Sequence, residues 1–100
     1  MILERWTNEK TGCTYRRITK SNAKRLYKEG CTLIIAPVKA NMDYGFRLWS
    51  IMEYNGKDNE TPEQSFDRII NSFIYYNCNS ELGLYPKYYI PESVYHKYFG

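Results

Sequence analysis

Several residue types are scarce in this chain of 100 amino acids, and each scarcity removes a class of function. Histidine occurs once, at His96, and cysteine three times, at Cys13, Cys31 and Cys78, the nearest two eighteen positions apart. Structural zinc sites draw their ligands in close pairs, so no zinc half-site and no dithiol redox motif is present, and no metal is expected. Three widely spaced cysteines, with no export signal in Met1–Lys10, read as reduced, partly buried thiols of a cytoplasmic protein. The one imidazole able to activate a thiol nucleophile is His96, in a C-terminal segment that reads as a short surface helix. No apolar run reaches the eighteen residues of a membrane span. A phosphate-cradling glycine loop, GxSxG and HExxH are likewise missing, so neither an enzyme nor a cofactor is expected. Charge is also unremarkable in sum, fourteen Lys and Arg against eleven Asp and Glu for a net +3.

What the chain has in quantity is aromatic residues, 17% of the total, including eleven tyrosines. With 43% hydrophobic residues it is not a disordered chain, and its length suits one domain spanning residues 1–100. Cys13–Ile18 mixes β-branched and aromatic residues as a short strand does. Thr19 then caps a helix of about nine residues, with Ala23, Leu26 and Tyr27 on one face, Lys20, Lys24 and Lys28 on another, and Gly30 as its stop. The apolar run Cys31–Val38 reads as an interior strand that Pro37 brings to an end. After a turn over 39–45, Phe46–Tyr54 reads as a strand with large apolar groups on both faces, and Phe46 and Trp49 are assigned to the core.

The clearest local signal is Thr61-Pro62-Glu63-Gln64, a helix cap with proline at the first helical position and glutamine at the capping-box position. Phe66, Ile69, Ile70, Phe73 and Tyr76 or Asn77 follow at helical spacing, which predicts a helix from Pro62 to Tyr76. Leu84–Ile90 reads as an edge strand because Pro86 interrupts it, and Pro91 opens a short last helix through Phe99. The order β-α-β-β-α-β predicts an α+β domain: two helices packed on one face of a small antiparallel or mixed sheet, plus a short C-terminal helix. A split βαβ arrangement is one candidate.

Two constellations point to binding. Residues 1–30 carry eight basic side chains against three acids, and Arg16, Arg17, Lys20, Lys24, Arg25 and Lys28 could grip nucleic-acid phosphates. A solvated helix face is the plainer account of the same lysines. Residues 53–67 carry five acids against one lysine, which capping and the helix dipole explain more simply than mimicry of a phosphate backbone. The tyrosines crowd the last quarter of the chain, and periodicity forces few of them inward. Tyr75, Tyr76, Tyr85, Tyr88, Tyr89 and Tyr95 are therefore the expected protein-binding residues, since tyrosine suits surfaces that are half wet and half buried. Base stacking is the rival use.

At ITKSNAKRLYKEGCTLIIAPVKANM and FDRIINSFIYYNCNSELGLYPKYYI the chain resembles small uncharacterised accessory proteins of phages, plasmids and conjugative elements of Gram-positive gut bacteria. The shared features are the basic helix after Ile18-Thr19-Lys20, a strand ending in Pro37-x-Lys39, and Tyr75-Tyr76-Asn77-Cys78-Asn79 leading to Glu81-Leu82-Gly83. The resemblance implies a cytoplasmic protein of a mobile element that binds a host protein or ribonucleoprotein complex, such as an inhibitor of restriction or CRISPR systems. The alternatives are a nucleic-acid-binding or regulatory protein using the basic helix, and a homodimer joined through its tyrosines.

Overall fold

The computed structural model describes residues 4–8, 10–38, 49–56, 59–79, 81, 83 and 85–100. Its elements are β1 (Arg5–Thr7), β2 (Thr14–Ile18), α1 (Lys20–Lys28), β3 (Leu33–Val38), β4 (Ser50–Met52), α2 (Pro62–Asn77), β5 (Tyr85–Pro91) and α3 (Glu92–Phe99). The strands form one antiparallel sheet in the order β1-β2-β5-β3-β4, and with three helices this is an α+β fold. No helix among the described residues is long and apolar enough to cross a membrane.

Local chemistry explains both main helices. The Thr19 hydroxyl accepts the Asn22 N–H at the start of α1. The helix ends where Gly30, at φ +90°, lets its own N–H reach the Tyr27 carbonyl and the Cys31 N–H reach that of Leu26. At α2 the capping box closes in both directions: Gln64 N–H donates to the Thr61 hydroxyl at 3.2 Å, and Thr61 N–H donates to Gln64 Oε1 at 3.0 Å.

The topology consists of two interleaved split βαβ units. The β2-α1-β3 crossover leaves a gap that β5 fills, and the β4-α2-β5 crossover steps over β3. Because β2 and β4 run in opposite directions, α1 and α2 pack antiparallel. Ile18, Ala23, Leu26, Tyr27, Leu33, Ile35, Met52, Phe66, Ile70, Phe73, Tyr88 and Ile90 form the main core, with Val94, Tyr95 and Phe99 of α3 against it. Ile34, Ala36 and Tyr89 are buried on the opposite sheet face beside the stacked rings of Trp6 and Tyr15. Covering on both faces is why β3 reads as an unbroken apolar run and not an alternating one.

Three expectations need correction. Strand β5 is central, not an edge: Pro86 stands opposite Pro37 across the β3 ladder, so two residues without N–H share one rung. On its other side β2 has already ended at the Ile18–Tyr88 pair, so Pro86 has no partner strand there to deprive of a donor. The strand expected over 46–54 is only β4 among the described residues, with 46–48 and the turn over 39–45 outside them. Its outer face is not covered, for Ile51 is 62% and Trp49 38% exposed. Finally, β1 was not anticipated; its three residues are too few to show a period, and it is held by pairing to β2.

Candidate binding surface

The six tyrosines expected at a contact surface separate into three environments. Tyr75 and Tyr76 lie in the last turn and a half of α2, off the Phe66–Ile70–Phe73 stripe that faces the sheet, and are 80% and 77% exposed. Their rings meet edge to face with centroids 5.0 Å apart. Tyr85 opens β5 and is half exposed. Tyr88 and Tyr89, by contrast, are core residues at 4% and 0% exposure, and they cannot form part of a docking surface in this fold. The misplacement of β5 at the sheet edge is the cause, because a central strand covered on both faces buries consecutive side chains. Burial also pushes the Tyr88 phenol up to about 12, with the Cys78 thiol charge adding to it, and raises that of Tyr89 as well. Tyr95 is half buried on α3, with the Arg16 guanidinium 4.2 Å above its ring.

The basic residues are largely engaged within the molecule. Antiparallel packing of α1 against α2 sets lysines against acids in a ladder: Lys28 Nζ is 2.9 Å from Glu63 Oε1, and Lys24 Nζ is 3.4 Å from Asp67 Oδ1. The Lys28–Glu63 hydrogen bond raises the lysine pKa and lowers that of the carboxylate. One turn further on, the same register sets Lys20 opposite Asn71, where no acid is available. Arg17 donates to Glu4 Oε1 through Nε and Nη2 at 3.0 and 2.8 Å. Arg25 lies 5.6 Å from the Phe99 ring centroid. The residues from Arg16 to Lys28 therefore do not form a continuous run of unengaged cations: five of the six face acids or rings. Glu63 and Asp67 do more than favour the helix dipole, since they neutralise α1; Glu60 holds Arg68 at 2.9 Å.

The end of the sheet where α1 begins and α2 finishes is different in character. A cleft of about 320 Å³ there is walled by Lys20, Lys87 and Arg17, by Ile74, and by Tyr85 and Pro86. No carboxylate is among the described residues lining it. A smaller cleft of about 140 Å³ lies on the other side of the same β2–α1 junction, between Arg17, Asn22, Tyr95 and Phe99. Sequence reasoning missed Ile74 and Lys87. Ile74 falls outside the helical stripe, and Lys87 shares strand parity with Tyr85, a cue that is usable once β5 is placed.

Cys13, Cys31 and Cys78 are free and half buried, and burial raises the Cys78 pKa, away from a reactive thiolate. No group of three or more metal-ligating side chains occurs among the described residues. No protein-family model matches the chain, and comparison with curated proteins and with solved structures finds no match.

Proposed function

We propose that this chain is a non-enzymatic binding protein that acts by protein–protein contact through the exposed face formed by Ile74, Tyr75, Tyr76 and Tyr85. The observation that carries this reading is the Tyr75–Tyr76 pair. Two adjacent tyrosines with more than three-quarters of their surface in water contribute nothing to the core, yet the helix holds their rings in mutual contact. Large, stiff, amphipathic side chains of this kind bury much area on docking at little entropic cost, and they dominate interface energetics. Beside them Ile74 is 39% exposed, which adds an aliphatic component to the patch.

The resemblance to accessory proteins of mobile elements supplies the setting. There the partner is a host defence nuclease complex in the cytoplasm, inhibited by occlusion in the anti-CRISPR manner. The test is a nuclease-interference assay in a host carrying the wild-type gene or the Tyr75→Ala/Tyr76→Ala variant. Wild type should protect an invading plasmid, and the variant should lose protection while keeping its thermal melt. Protection retained by the folded variant, or none from wild type, would refute the reading. A concentration-dependent dimer in light scattering that the same two substitutions abolish would show instead that the tyrosine face meets a second copy of itself.

A further inference from the structure

We propose that the cleft between the start of α1, the end of α2 and the start of β5 is a binding site for single-stranded nucleic acid, with Lys20 and Lys87 on phosphates and Tyr85 stacked on a base. The argument begins with charge. Among the described residues, Lys20 and Lys87 line the cleft without an acidic partner, whereas Lys24 and Lys28 on the same helix are paired with Asp67 and Glu63. Within the Lys20–Lys24–Lys28 stripe of α1, the charge left without an acid is therefore at this end. Arg17 adds a wall whose charge Glu4 already meets.

Shape comes next. About 320 Å³ is far more room than a lone carboxylate side chain needs, and it suits a base with its sugar. Tyr85, half exposed, and the flat rim of Pro86 and Ile74 offer apolar surface next to the two ammonium groups. Cations beside an open aromatic face are the composition of sequence-tolerant single-strand sites. A duplex fits less well: its phosphates spread along the α1–α2 surface, where Glu63 and Asp67 lie within a Debye length of the backbone. This site differs from the basic helix face considered from sequence; it borders the proposed protein-contact face and shares Ile74 and Tyr85 with it, but Tyr75 and Tyr76 do not line it.

Fluorescence anisotropy on the full chain tests it, with labelled oligothymidylate, oligouridylate, a short duplex and an oligoglutamate peptide as probes. Single strands should bind, and two neutralised phosphates predict roughly a sevenfold loss of affinity between about 50 and 200 mM salt. Lys20→Glu/Lys87→Glu should weaken binding at least about tenfold and flatten that salt dependence. Tyr85→Ala should cost roughly fivefold or more, while Tyr85→Phe keeps most of the affinity. Thermal melts confirm that each variant is folded, and all three positions are at least partly solvent-accessible. The proposal fails if Lys24→Gln/Lys28→Gln costs as much as the Lys20/Lys87 change. It fails equally if the duplex binds as tightly as the single strands, if oligoglutamate does so (which would identify an acidic protein segment as the occupant), or if no probe binds. Tyr75→Ala/Tyr76→Ala should leave oligonucleotide binding unchanged, so failure here and failure of the protein-contact reading are separately visible.

Discussion

The buried hydrogen bond between Tyr27 and Ser65 joins the two main helices, and its removal should cost more in one direction than in the other. The phenol and hydroxyl oxygens are 2.7 Å apart; Tyr27 is fully buried and Ser65 is 6% exposed. Tyr27→Phe deletes one partner but leaves a serine on a helix, where rotation about χ1 lets the hydroxyl donate to the carbonyl one turn back, that of Thr61. The expected loss is therefore near the low end of the range for an orphaned buried group, about 1 kcal/mol. Ser65→Ala strands the Tyr27 hydroxyl among Tyr54 and Phe66, whose rings lie 6.0 and 5.5 Å from its own. A phenol has no second rotamer that reaches a carbonyl without leaving the core, so about 2–3 kcal/mol is expected. The double variant removes both polar atoms and should cost less than the sum of the singles, with a coupling of about 1 kcal/mol or more. Urea unfolding gives these values directly. Thermal unfolding should show the order wild type, Tyr27→Phe, Ser65→Ala, at roughly 4–8 °C per kcal/mol for a domain of this size. Single losses that add to within about 0.5 kcal/mol would refute the reasoning.

Three further outcomes follow from the same structure. Tyr88 keeps its proton in the folded state to about pH 12, whereas an unfolded tyrosine loses it near 10. Its contribution is fully present below pH 10 and falls away through pH 12 by about 3 kcal/mol, so a urea–pH series should show steep alkaline destabilisation that Tyr88→Phe reduces. Thr61→Ala opens the capping box of α2 and should cost about 1 kcal/mol in urea unfolding, with Thr61→Ser restoring most of it. In the inter-helix ladder, Lys28→Glu should lower the melting temperature at low salt and Glu63→Lys added to it should restore the loss, an effect that about 1 M salt largely removes.

Much of the local structure was legible because short-range chemistry determines it. Thr61, Pro62 and Gln64 announce α2 within four residues, and Gly30 ends α1 by a conformation that glycine adopts readily. Placement was harder. Pro86 argues for an edge strand when its own segment is considered alone, and only the pairing with Pro37, 49 positions earlier, makes a central position tolerable. Tyr88 and Tyr89 went to the surface for the same reason. Lys24 and Lys28 read as a solvated face because their acids lie about 40 residues away, and the antiparallel helix register that joins them depends on strand order. Tyr75 has no slot in the spacing of Phe66 and Phe73, whereas Tyr76 or Asn77 continues it; both tyrosines are exposed, so for Tyr76 the helical period alone did not decide.

The position of β5 has a consequence for how the molecule is assembled. Strands β2 and β3 are synthesised early but cannot bond to each other, because the space between them belongs to a segment more than 45 residues later. Until Tyr85–Pro91 arrives, the chain holds two fragments of sheet, each with an open inner edge and an apolar run such as Leu33–Ala36 available for wrong pairings. Closure is then a single insertion that zips both edges at once and seats both α1 and α2. Folding should accordingly be all-or-none and slow for the chain's length, dominated by contacts distant in sequence. A ribosome-bound chain arrested before Tyr85 should be protease-sensitive throughout, and one extended past Pro91 should be resistant.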